Sequence, residues 1–89
     1  MDKLASMQVF THIVDHGGFS RASQALGIPK STISRSITML ESQLGVALFR
    51  RTTRNVSLTE EGAYYYGMCK RILTAIEEAD LSVCSQNKS

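Results

Sequence analysis

Eighty-nine residues make one domain with room for a single small core and not for two. A hydrophobic content of 43% is ordinary for a globular chain and argues against disorder, and no run approaches the length of a membrane span. The formal net charge is only +2, but between Phe19 and Leu58 the charges are Arg21, Lys30, Arg35, Arg50, Arg51 and Arg54 against Glu41 alone, a local +5. Residues 1–18 sum to −1 and residues 59–89 to −2. A basic middle between mildly acidic ends is the footprint of a site for a polyanion. The opening MDKLASMQVF lacks a basic region followed by an apolar core, so a cytoplasmic location is expected. Cys69 and Cys84 stand fifteen apart without a CxxC pair, which argues against a zinc site and a disulfide scaffold.

Leu4, Met7, Phe10, Ile13 and Val14 recur every three to four residues and predict a first helix over about residues 3–16, stopped by Gly17-Gly18. His12 and His16 have a metal-compatible spacing, but no third ligand lies nearby in sequence and they read as surface or capping residues. Ser20 is placed as the N-cap of a short helix, Arg21 to Leu26, ended by Gly27. Ile28-Pro29-Lys30 makes a tight connector. In the next helix, Ser31 to Leu44, Ile33, Ile37, Leu40 and Leu44 form one apolar stripe. Its other side carries Ser31, Ser34, Arg35 and Thr38, with Lys30 just ahead. Short hydroxyls let a helix backbone lie close to another surface. Hydroxyls, Lys and Arg are also the groups that contact phosphates and guanine edges in a major groove. A short helix, a glycine turn and a longer helix form the helix-turn-helix unit, a pattern shared with plain helical hairpins.

After Gly45, two β-prone runs, Val46 to Arg51 and Val56 to Leu58, flank a polar tip and predict a small hairpin, or wing. Phe49, Val56 and Leu58 are expected to face the core. Arg50, Arg51 and Arg54 cluster near the tip, where phosphate contact is favoured over simple solvation, with Arg51 the one expected to have a structural partner. Thr59 then caps a last helix, with Glu60 and Glu61 in its first turn, that runs to about residue 85. Tyr65, Met68, Ile72, Ile76, Ala79 and Val83 give it an apolar stripe, and only its first turns can pack on so small a body. The rest, Leu73 included, needs a second copy to leave water, so this helix is expected to make a homodimer. An antiparallel pair centred between residues 76 and 77 would set Cys69 against Cys84 of its mate.

Phe10, the run GGFSRASQALGIPKSTISRSITMLESQLGVALFRR and the segment TRNVSLTEEG resemble the N-terminal DNA-binding part of LysR-type transcriptional regulators over nearly the whole chain. GVALFRR followed by Leu58-Thr59 and Gly62 is the most specific part of the match. The resemblance implies a mainly α fold: a winged helix-turn-helix of three helices plus a two-stranded wing, then a long linker helix that pairs antiparallel in a dimer. It implies a division into residues 1–58, the DNA-binding domain, and 59–89, the linker and dimerisation helix. It also implies that the effector-sensing domain of such regulators is absent here, with no small-molecule site left in this part. The implied DNA-facing positions are Pro29, Lys30, Ser31, Ser34 and Arg35 at the start of the recognition helix, and Arg54 in the wing with Arg50 and Arg51 beside it. Ser20, Thr32 and Thr38 complete the expected DNA-facing set. Lys30 stands where many members have Gln, which favours guanine or phosphate over adenine. Ser23 replaces a common Ala, with no functional effect expected.

The sequence therefore predicts sequence-specific binding of double-stranded DNA by a dimer, with the recognition helix in the major groove and a wing over about residues 48–58 on the backbone or minor groove. No cofactor, metal or membrane partner is expected. The rival class is a protein-interaction module that uses the winged body and a coiled-coil helix. An enzyme is the weakest class, because the chain shows no Ser–His–Asp set, no paired carboxylates in an apolar setting and no phosphate loop.

Overall fold

The computed structural model describes residues 2–52 and 56–87. Four helices and one hairpin follow in the order α1 (Lys3–His16), α2 (Phe19–Leu26), α3 (Lys30–Leu44), β1 (Phe49–Arg51), β2 (Val56–Leu58) and α4 (Glu60–Asn87). This is the winged helix-turn-helix with a trailing long helix that the sequence predicts. Asp2 caps α1 by accepting from Ala5 N at 2.7 Å. Gly27 ends α2 with φ +68°, a left-handed conformation that favours glycine, and the Ser23 hydroxyl donates to the Ile28 carbonyl across the same turn. The tie gives Ser23 a structural part that its sequence position did not suggest.

Two local expectations are corrected. Ser20 is not the cap of α2: the helix begins one residue earlier, at Phe19, its N-cap is Gly18, and no side chain caps it. Phe19 is drawn into the core and carries the helix start with it. Val56 does not face the core but is 39% exposed, because it lies at the turn end of the hairpin, paired with Arg51. The ladder is short and antiparallel, with Phe49 opposite Leu58 at its inner end.

The core gathers Met7, Val9, Phe10 and Ile13 of α1, Phe19 and Ala22 of α2, and Ile33, Ile37 and Leu40 of α3, joined by Leu48, Phe49 and Cys69. Phe10 is its hub: its ring centroid lies 5.3 Å from Phe49, 5.6 Å from Tyr65 and 6.4 Å from Tyr66. Aromatic pairs at such distances and tilts add to the burial of their area. Where α1 crosses α3, the Ser36 hydroxyl is 3.0 Å from that of Ser6, and both side chains are buried.

The long helix is fastened at its start. Thr59 Oγ1 accepts from Gly62 N at 2.9 Å and donates to the Ala47 carbonyl at 2.7 Å, so one side chain caps α4 and ties it to the approach to β1. Gly62 passes so close to the chain that a Cβ there would fall 2.1 Å from the Leu48 carbonyl oxygen. Further along, the Tyr66 hydroxyl donates to Asp15 of α1, and Lys70 Nζ stands 3.3 Å from the other oxygen of that carboxylate. Cys69, on the same face, has no exposed surface, and burial pushes its thiol up. It cannot face Cys84 of a mate, so the pairing centred between residues 76 and 77 loses its motive. Tyr65 is likewise turned onto Phe10 of its own chain, and Leu73 is half-buried toward α1. Beyond these contacts α4 projects freely. The radius of gyration is 14.7 Å and the longest extent 54 Å, against about 12 Å for the radius of a compact chain of this length.

Candidate nucleic-acid interface

The apolar stripe of α3 decides which of its residues are left outside. Ile33 and Ile37 have no exposed surface and Leu40 has 1%, which fixes the rotation of the helix. That rotation leaves Lys30, Ser31, Arg35 and Thr38 exposed, with Thr32 and Ser34 half-buried at the margins. Pro29, extended at ψ 142°, precedes the first turn, and its carbonyl accepts from Thr32 N at 3.0 Å and Ile33 N at 3.1 Å. The connector thus delivers Lys30 at the very start of α3. Thr38 Oγ1 donates to the Ser34 carbonyl at 3.0 Å, which holds that hydroxyl against the helix and keeps the face low.

The three arginines of the wing region take different roles. Strand alternation sends Phe49 and Arg51 to one side and Arg50 to the other. Arg51 therefore lies over the Phe19 ring, 4.9 Å from its centroid, and its Nη2 is 3.9 Å from Glu41 Oε1. Arg50 is exposed beside Ser57. Arg54 lies outside the described residues. Ser20 is exposed on the first turn of α2.

Arg51, Lys30, Ser20 and Ser34 meet around a concavity of about 510 Å³ between the start of α2, the start of α3 and the hairpin. Arg21 also lines it. Arg21 belongs to the basic stretch but not to the expected DNA-facing set; its position one residue after Ser20, in the first turn of α2, is the signal that marks it. Among the described residues, three cations from three elements border this hollow and no carboxylate lines it, a setting suited to an anion. The second residue missed is Glu41. Its Oε2 accepts from Leu48 N at 2.7 Å and from Phe49 N at 3.2 Å, while Oε1 faces Arg51. The lone acid in the basic stretch thus sets where the hairpin starts and which way Arg51 points.

His12 and His16 stack face to face, ring centroids 5.6 Å apart. Among the described residues no group of three or more His, Cys, Asp or Glu side chains is placed to hold a metal ion. No helix among them is long and apolar enough to cross a membrane.

A tri-helical body with an exposed second helix of the pair and a hairpin beside it defines a winged helix-turn-helix domain, a class that binds DNA. Residues 4–63 match the model of the family described as "Bacterial regulatory helix-turn-helix protein, lysR family", and the chain belongs to that family. It is 45% identical over 83 residues to an HTH-type transcriptional repressor of Pseudomonas aeruginosa (strain UCBPP-PA14), covering 93% of this chain and 26% of that protein. Among solved structures it is similar to the BenM DNA-binding domain in complex with catB site 1 DNA, with a TM-score of 0.88, 28% identity and coverage of 99% and 97% of the two chains. It is also similar to the CbnR DNA-binding domain in a DNA complex, with a TM-score of 0.84, 27% identity and coverage of 96% and 99%. The chain spans about a quarter of the length of the curated relatives it matches. It is a LysR-type DNA-binding domain of the kind found in transcriptional regulators.

Proposed function

We propose that this chain reads specific sequences in double-stranded DNA as a homodimer, α3 entering the major groove and the β1–β2 wing lying on the backbone or an adjoining minor groove. Residues 1–58 do the reading and residues 59–89 do the pairing. Arg35 and Ser34 reach base edges, Lys30 a guanine or a phosphate, and Ser20, Pro29, Ser31, Thr32 and Thr38 fix the helix against the backbone. Arg50 and Arg54 hold phosphates beside the wing, and Arg51, steadied by Glu41, adds its charge to the hollow next to Lys30. The pairing surface is the outer stripe of α4, Met68, Ile72, Ile76, Ala79 and Val83, with Tyr65 and Leu73 at its inner edge.

The observation that carries this reading is the face of α3: Lys30, Ser31, Arg35 and Thr38 stand in solvent while the stripe behind them is sealed. From Lys30 to Thr38 a helix so mounted exposes only hydroxyls and cations, the chemistry of phosphate and guanine contact. The solved complexes of the BenM and CbnR domains with DNA support the same use of this fold. Selection of bound sites from random DNA at two salt concentrations tests it. The expected product is a two-fold symmetric motif with half-sites about 34 Å apart, or a multiple of that spacing. No enrichment, together with salt-insensitive capture of a protein partner, would replace it with the interaction-module reading.

A further inference from the structure

The outer stripe of α4 is apolar and open: Met68 is 37% exposed, Ile72 41%, Ile76 38% and Val83 61%. Beside it, on one flank, stand Arg71 and Glu78, both exposed. They are seven residues apart, almost two turns, and so occupy nearly the same angular position. Their own helix offers neither an ionic neighbour. Three and four residues from Arg71 lie Gly67, Met68, Thr74 and Ala75; around Glu78 lie Thr74, Ala75, Leu81 and Ser82. Among the described residues neither takes part in an ion pair, whereas Lys70, on the opposite flank, is held by Asp15.

We propose that Arg71 of each copy pairs with Glu78 of the other, which sets the register of an antiparallel α4 dimer with its two-fold axis between residues 74 and 75. The inference rests on the homodimer proposed above and names how its two helices align. Opposite charges on one flank of one helix meet their complements when an identical helix is laid against it antiparallel about their midpoint. In an in-register parallel pair the two-fold axis runs along the helices, so this flank of one copy would lie across the seam from that of the other, and Arg71 would not reach Glu78 of its mate. The axis found from charge agrees with the apolar surface, since the stripe from Met68 to Val83 is centred within about one residue of it. At the axis stands Ala75, whose methyl group lets the two backbones approach closely. Shifting the axis to between residues 76 and 77 would put Arg71 opposite Ser82 and leave both charges unpaired. The register also sets how far apart the two winged bodies sit, and hence the spacing of the half-sites they span.

Sedimentation equilibrium of the 89-residue chain tests the register. Arg71→Glu and Glu78→Arg are each expected to raise the dimer dissociation constant about tenfold, by placing like charges together at two symmetric points. The double variant Arg71→Glu/Glu78→Arg is expected to return it close to the starting value. In a Cys84→Ser background, Ala75→Cys should cross-link two copies under mild oxidation while Leu81→Cys, on the far side of the helix, should not. A double variant as weak as the single ones, or the reverse cross-linking pattern, overturns the register. A wild-type chain that stays monomeric at every concentration overturns the homodimer itself, and the register with it.

Discussion

Arg35 and Glu41 sit six residues apart on α3 and do opposite things. Arg35 points into solvent from the outer face, and its removal should be felt by DNA rather than by the fold. Arg35→Ala is expected to cost about 1–3 kcal/mol of binding to the selected site and to relax base preference at one position of each half-site. Equal weakening on all sequences, measured by titration against a panel of sites, would remove it from base reading. Glu41 holds two backbone N–H groups at the entry to β1. Glu41→Ala leaves both without that acceptor and is expected to lower stability by about 1–3 kcal/mol, seen as a shift of the urea midpoint at unchanged slope. Glu41→Gln keeps an acceptor oxygen and should recover most of the loss. Arg35 was legible because exposure of a helix face follows from its periodicity. Glu41 was not, since its partners come from a turn whose path depends on how α3 and the hairpin pack.

At the scale of elements, the helices and their glycine stops were readable in detail, whereas the start of α2 was not. The stops at Gly17, Gly27 and Gly45, the Thr59 cap and the wing all stand where the pattern put them. What the pattern missed is how α4 is bolted to α1. Asp15 is held below its ordinary value of 3.8, first by the Tyr66 hydroxyl it accepts from and then by Lys70. A carboxylate lowered in this way stabilises the folded state above its unfolded pKa, and that contribution is lost as pH falls through the folded value. The stability of the wild-type chain should therefore fall more steeply below pH about 4 than that of Asp15→Asn, as urea midpoints across a pH series would show. On the alkaline side the signs reverse: the same contacts raise Tyr66 and Lys70, so their help persists below the ordinary 10.0 and 10.5 and fades as pH climbs past the folded values. Parallel acid limbs for the two proteins would mean that the contact does not fasten α4.

For the whole molecule, charge and shape act together. The basic stretch between Phe19 and Leu58 lies on the winged body, and the acidic stretch lies along the projecting α4. Such a dipolar layout directs the body toward a polyanion and keeps the projecting helix away from it. The affinity should therefore fall with salt, and Arg54→Ala should weaken binding to all sequences alike and reduce the salt slope by about one. An unchanged slope in a salt titration would take Arg54 out of the phosphate contacts.

The sequence by itself determined the winged helix-turn-helix, the outward face of α3, the basic stretch and the open stripe on a helix too long for its body. These follow from the spacing of apolar residues, helix caps and charges, all of which are local. The tertiary structure decided the inward turn of Tyr65 and Cys69, the anchoring of Arg51 on Glu41 and Phe19, the arrival of Arg21 beside Lys30, and the grip of Tyr66 and Lys70 on Asp15. Each of these joins residues from different elements. Their meeting is set by how helices cross and which face of α4 the small core can cover, and neither quantity is carried by any one stretch of chain.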